Sequence, residues 1–148
     1  MYNVLFTFLH VMLAYLGITI WAVGAAFLFV AYRAGASEGI LKLARYTLTA
    51  GGLLLVVMSI FAGVTYAFYV QSAEPTLHES FRYMALLFDY KLSLSSIATL
   101  LGFLAVIAVW RSSSPNDIKV SIVMSTLVVV LFVVAAVIVA WIMTTVSI

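Results

Sequence analysis

Four long apolar runs, at about residues 3–32, 46–70, 81–110 and 118–148, make up most of this sequence. Each exceeds the roughly 20 residues a helix needs to cross a ~30 Å hydrocarbon layer. Inside such a layer every backbone N–H and C=O must be satisfied within the protein, so only helices or a closed barrel can span it. A barrel requires segments of about ten residues with strict apolar–polar alternation, and no such segments occur here. The chain is therefore expected to be all-α: an integral membrane four-helix bundle in which residues 1–148 form one transmembrane domain. The first run lacks a basic start and is too long for a cleaved signal segment, so it is expected to remain as the first span.

Composition narrows the chemistry. Residues are 66% hydrophobic and only 8% charged, with a mean hydropathy of +1.26. There is no cysteine, which excludes disulfides, thiolate metal sites and cysteine nucleophiles. A net charge of +2, scattered along the chain, argues against a nucleic-acid partner, since phosphate recognition needs clustered Lys and Arg. The first connection carries Arg33, Lys42 and Arg45 against Glu38, and the last carries Arg111 and Lys119 against Asp117. The middle one offers Arg82 against Glu74 and Glu79. The positive-inside rule then places connections one and three in the cytoplasm and both termini on the outer side. Residence in the cytoplasmic (plasma) membrane of a prokaryote is expected.

Local signals sharpen the boundaries. Gly35 and Gly39 read as a helix stop and restart. Ser114-Pro115-Asn116-Asp117 supplies an N-cap, a proline at the first helical position and an acid three residues after the cap. Thr76-Leu77-His78-Glu79 has the same capping-box spacing and would start the third helix before the membrane does. Tyr2, Tyr66, Tyr69, Tyr83 and Trp141 suit an outer aromatic belt, and Tyr32, Tyr46 and Trp110 an inner one. His10, Ala14, Gly17, Trp21 and Gly24 form one stripe of the first helix; Gly52, Val56, Ser59 and Gly63 form one on the second. Such stripes let backbones approach closely in lipid. The Val- and Leu-rich fourth helix is expected to carry the largest lipid-facing surface and the least chemistry.

Scarcity makes each intramembrane polar group informative, because an unpaired ion there costs a few kcal/mol or more. Asp89 and Lys91 are the acid and base furthest inside a predicted span. Two residues apart, they point about 200° away from each other, so each needs its own partner. Asp89 shares a face with Ser93 and Ser96, and Lys91 shares one with Ser95, Thr99 and Gly102. His10 lies in the outer half of the first helix. A contact with Asp89 would orient its imidazole, either as a plain interhelical lock or as the support of a metal or haem ligand. His78, expected in the outer connection, is a second candidate metal ligand. Lys91 and Arg82 are candidates for a haem propionate or a quinone oxygen. Copper(I) would accept His and Met, although the methionines do not cluster. The serines near Asp89 read as helix glue rather than nucleophiles.

The segments "FLHVMLAYLGITIWAVGAAFLFVAYR", "LARYTLTAGGLLLVVMSIFAGVTY" and "FDYKLSLSSIATLLGF" resemble the small membrane bundles of the copper-resistance protein D group and the J-type protoporphyrinogen oxidases. Leu9-His10-Val11 matches the family histidine, Trp21 and Gly24 the aromatic–glycine pair, and Lys91-Leu92 the lysine motif. The resemblance implies a haem b held through His10, or metal handling. Asp89 stands where the oxidases would carry a histidine, so haem or quinone association is the better-carried expectation. The expected function is a small redox-associated membrane protein binding one haem b or quinone near the outer face through His10, Asp89, Lys91 and Arg82. The alternatives are a non-catalytic subunit that packs a larger respiratory or oxidase complex, and a copper-handling membrane protein. The lipid bilayer and other membrane subunits, or further copies of the chain, are the expected partners.

Overall fold

The computed structural model describes residues 2–35, 37–72, 74, 75, 79 and 81–145. Most of them lie in four long helices: α1 (Tyr2–Arg33), α2 (Glu38–Ser72), α3 (Arg82–Arg111) and α4 (Pro115–Thr145). All four are long and apolar enough to cross a membrane. At 1.5 Å per residue each is about 45–53 Å long, at or beyond the full thickness of a bilayer with its headgroups.

The helix boundaries follow from local chemistry. Gly35 adopts φ 70°, and its N–H reaches the Tyr32 carbonyl while Ala34 N–H reaches Val30; a residue free of the Cβ penalty is needed for this left-handed stop of α1. Helix α2 then starts at Glu38, beside the expected restart at Gly39 and eight residues before the apolar run that begins at 46. Leu41, Ala44 and Leu48 are the reason. Spaced three and four apart, they are buried and extend the α2 stripe that packs on α1 through the basic segment. The start of α4 is the expected capping box: Asp117 Oδ2 accepts from the backbone N–H groups of Ser113 and Ser114, and Asp117 N–H donates to Ser114 Oγ. Helix α3 begins after Phe81, which makes no side-chain cap. The predicted capping box at 76–79 includes Thr76 and His78, which lie outside the described residues.

The helices pack as two hairpins. α1 lies along α2 and α3 along α4, and the pairs join more loosely through α1–α4 and, least tightly, α2–α3. The chain therefore runs up and down around a square, with α1 and α3 parallel on one diagonal. The start of α1 and the end of α4 lie at the same end, here the terminal end; the short α1–α2 and α3–α4 connections mark the connection end.

Glycine sets the α1–α2 approach. A Cβ on Gly51 would stand 3.0 Å from the Trp21 backbone nitrogen, and one on Gly24 would stand 2.7 Å from Leu48 Cγ. The α2 contact face is thus Leu48–Gly51–Leu55–Met58, one residue off the expected Gly52–Val56–Ser59–Gly63 stripe. Gly52, Val56 and Ser59 instead turn toward α3, and Gly63 meets nothing. Trp21 is the centre of the bundle, at 0% exposure. Its ring faces Gly52 of α2 and Gly102 of α3, and its Nε1 donates to the Ser125 carbonyl of α4 at 3.1 Å. One side chain of α1 therefore touches all three other helices.

Candidate functional site at the terminal end

Helices α1 and α3 face each other across the bundle diagonal, and the tip of the Trp21 ring spans it. Trp21 meets Gly102, and eleven residues before each stand His10 and Lys91. Eleven residues make just over three full turns, so each returns to the bundle-facing side of its helix, about 16 Å nearer the terminal end. Both are partly buried. Lys91 is the charged side chain close enough to His10 to act on it electrostatically.

His10 is held by backbone. Its Nδ1 lies 3.3 Å from the Met58 carbonyl of α2. A carbonyl can only accept, so Nδ1 carries the proton, and in the neutral ring Nε2 keeps its lone pair. This is the arrangement that commonly fixes the tautomer of a ligating histidine. The expected orienting group, Asp89, is not brought to His10. Asp89 is exposed on the other side of α3, where its charge acts on Tyr69, and the Met58 carbonyl takes the role assigned to it. The 200° divergence between Asp89 and Lys91 explains the outcome: turning Lys91 inward turns Asp89 outward.

Lys91 has no ion-pair partner among the described residues. Its Nζ sits 5.4 Å from the centroid of Phe88. Phe88 stacks on Tyr69 of α2 at 4.2 Å, and Tyr69 on Tyr66 at 6.0 Å. An aromatic row thus bridges α2 and α3 beside the ammonium. Met84, Ala85 and Ile142 close the bundle beyond it. Along α3, Lys91 is nineteen residues from Trp110, or about 28 Å, which matches the ~30 Å hydrocarbon layer. A layer of that thickness with Trp110 at one boundary would put Asp89 and Lys91 at the other. Arg82 is exposed at the first turn of α3, about 13 Å along the axis from Lys91. His78 lies outside the described residues.

Chemically, the pair offers one acceptor and one cationic donor with no carboxylate between them. That combination suits a neutral or anionic oxygen-bearing head.

A second polar cluster, at the connection end, was missed because its residues read as topology markers. Arg45 of α2 donates through Nε to the Val109 carbonyl at 3.1 Å and through Nη2 to the Ser112 carbonyl at 2.9 Å. These are carbonyls at the end of α3, where the regular i+4 donor is missing; Val109 also accepts from the Ser112 N–H at 3.3 Å. Arg45 also pairs with Glu38 at 3.3 Å and lies over the Trp110 ring, whose Nε1 donates to Thr49. Nearby, the hydroxyls of Ser112 and the fully buried Ser121 are 3.1 Å apart. Ser125, one turn further along α4, is fully buried, and its Oγ has no partner among the described residues. Helix α4 is therefore not the inert wall its Val–Leu composition suggests. The only signal in sequence was the four-residue spacing Asp117–Ser121–Ser125.

No family model, curated protein or solved structure matches this chain.

Proposed function

We propose that this chain is a small integral membrane protein that holds one lipophilic redox group, a quinone or a haem b, at His10 and Lys91 near the outer face of a prokaryotic cytoplasmic membrane. The observation that carries the reading is the backbone-held tautomer of His10, which leaves Nε2 available beside an ammonium that has no acid partner. The placement of Arg33, Lys42, Arg45, Arg111 and Lys119 at the connection end supports assigning that end to the cytoplasm. For haem, Nε2 of His10 would hold the iron and Lys91 would meet a propionate; bound haem supplies one-electron transfer. For a quinone, Nε2 and Lys91 would meet the head oxygens. Asp89 and Arg82 are left out of either site.

The test is the visible spectrum and the extractable quinone of protein purified in mild detergent. A Soret band, or a stoichiometric quinone, that is lost in His10→Ala and weakened in Lys91→Met supports the proposal. A purified, folded chain with neither group, and no spectral or binding response to added haem or quinone, refutes it. A second reading, as a packing subunit of a larger membrane complex, is favoured by the exposed carboxylate of Asp89 on a helix face that also exposes Ser93 and Ser96.

A further inference from the structure

The charged residues are divided unevenly between the two ends of the bundle. The connection end carries Arg33, Lys42, Arg45, Arg111 and Lys119 against Glu38 and Asp117; the terminal end carries Arg82 and Lys91 against Glu74, Glu79 and Asp89. Both acids at the connection end are already engaged. Glu38 pairs with Arg45, whose Nε and Nη2 go to carbonyls of α3, and Asp117 Oδ2 accepts from the N–H groups of Ser113 and Ser114. Arg33, Lys42, Arg111 and Lys119 are left, one on each helix. All four are exposed, and none has an ion-pair partner among the described residues. They make a cationic collar around this end.

Two members of the collar meet where α1 joins α4. The Arg33 guanidinium lies 5.4 Å from the centroid of Phe29, and the Lys119 ammonium reaches from α4 to 5.5 Å from that of Tyr32. Phe29 and Tyr32 are three apart on α1 and so are surface neighbours. One turn nearer the middle of the bundle, Phe29 and Val30 lie beneath Arg33, and Val123 lies beneath Lys119; all three are about half exposed. Cations above and bare apolar side chains below follow the profile of a phospholipid, a phosphate followed by acyl chains. A water-soluble acidic partner would meet the cations but not the apolar band, which lies at hydrocarbon depth. We infer that the α1–α4 seam at the connection end binds an anionic phospholipid, its phosphate on Arg33 and Lys119 and its chains along Phe29, Val30 and Val123. Lys42 and Arg111 extend the attraction around the rim. A zwitterionic head brings its own cation, which Arg33 and Lys119 repel; a net negative head does not. The site needs neither His10 nor a redox group.

The experiment titrates the purified full chain in mild detergent with phosphatidylglycerol or with phosphatidylcholine of the same acyl chains, and native mass spectrometry counts the lipid kept per chain. Arg33→Gln and Lys119→Gln each remove one collar charge from an exposed position, on separate helices, so either serves if the other does not fold. Arg82→Gln removes the same charge at the terminal end. The wild type should prefer phosphatidylglycerol. That preference should fall about fivefold in each collar variant and stay unchanged in Arg82→Gln. An equal fall in Arg82→Gln would mean that net charge alone attracts the lipid. No preference in the wild type, or the same preference in both collar variants, would mean that no anionic lipid is held at this seam. A poly-glutamate peptide that displaces phosphatidylglycerol from the wild type, and binds the collar variants more weakly, would assign the cations to an acidic protein partner. Each of these three results overturns the inference.

Discussion

Two adjacent glycines, Gly51 and Gly52, test whether backbone contact or side-chain packing joins α1 to α2. An alanine Cβ at Gly51 would lie 3.0 Å from Trp21 N, 3.1 Å from Trp21 Cα and 3.3 Å from the Gly17 carbonyl oxygen. Carbon contacts are comfortable at about 3.5–4.0 Å, and backbone atoms of a neighbouring helix cannot rotate away. Relief requires the helices to separate, an overpacking cost of about 1–3 kcal/mol. Helix propensity returns about 1 kcal/mol for glycine to alanine, so Gly51→Ala should destabilise by up to about 2 kcal/mol. At Gly52 the same Cβ meets the Trp21 ring at 3.3 Å and a Val106 methyl at 3.4 Å. Both are side-chain atoms able to shift a few tenths of an ångström, and the two terms should nearly cancel. At Gly63 nothing lies within 4 Å, and alanine should stabilise by about 0.5–1 kcal/mol. Reversible SDS titration of the three variants, followed by far-UV circular dichroism, reads the ordering. Gly51→Ala as stable as Gly63→Ala would refute the claim that α1 and α2 touch through backbone.

Three further changes probe the rest of the fold. Arg45→Ala should cost about 2 kcal/mol by stripping two carbonyls at the end of α3 of their charged donor, whereas Glu38→Ala, whose partner carboxylate is largely exposed, should cost under about 0.5 kcal/mol; equal melting temperatures in detergent for the two variants would contradict the cap. Ser114→Ala removes the hydroxyl that accepts from Asp117 N–H and should cost about 1 kcal/mol, with faster hydrogen exchange confined to the first turn of α4; exchange spread evenly along α4 would speak against a local cap. Trp21→Phe keeps an aromatic body but loses the bond to the Ser125 carbonyl, for an expected cost of about 2 kcal/mol; an unchanged SDS midpoint would mean that this bond does not hold α1 to α4.

Composition alone carries the fold class, because the bilayer removes every alternative. Runs longer than 20 residues with so little charge leave the backbone no solution but helices, and short connections make sequential helices antiparallel neighbours. The stops and starts at Gly35 and Ser114–Asp117 were legible too, since capping is a local interaction between residues three or four apart. The inward face of α1 through Gly17, Trp21 and Gly24 was also readable, from the small-residue stripe.

What faced what was not legible, because hydrophobic periodicity is nearly silent in a chain whose lipid side and protein side are equally apolar. A one-residue rotation of α2 decides whether Gly51 or Gly52 meets α1, and both carry the same side chain. Asp89 and Lys91 stand two apart, so only one of them can face the bundle, and only the packing of α3 against its neighbours chose the lysine. The partner of His10 is a main-chain carbonyl, a group every residue possesses and none advertises. Arg45 looked like a topology charge until the end of α3 arrived beside it. The sequence by itself determined that this chain forms four membrane-length helices with defined ends, since solvent exclusion and local capping are read one segment at a time. Only the tertiary structure decided which face of each helix turned inward, since that depends on close contact between segments up to a hundred residues apart, as between Trp21 and Ser125.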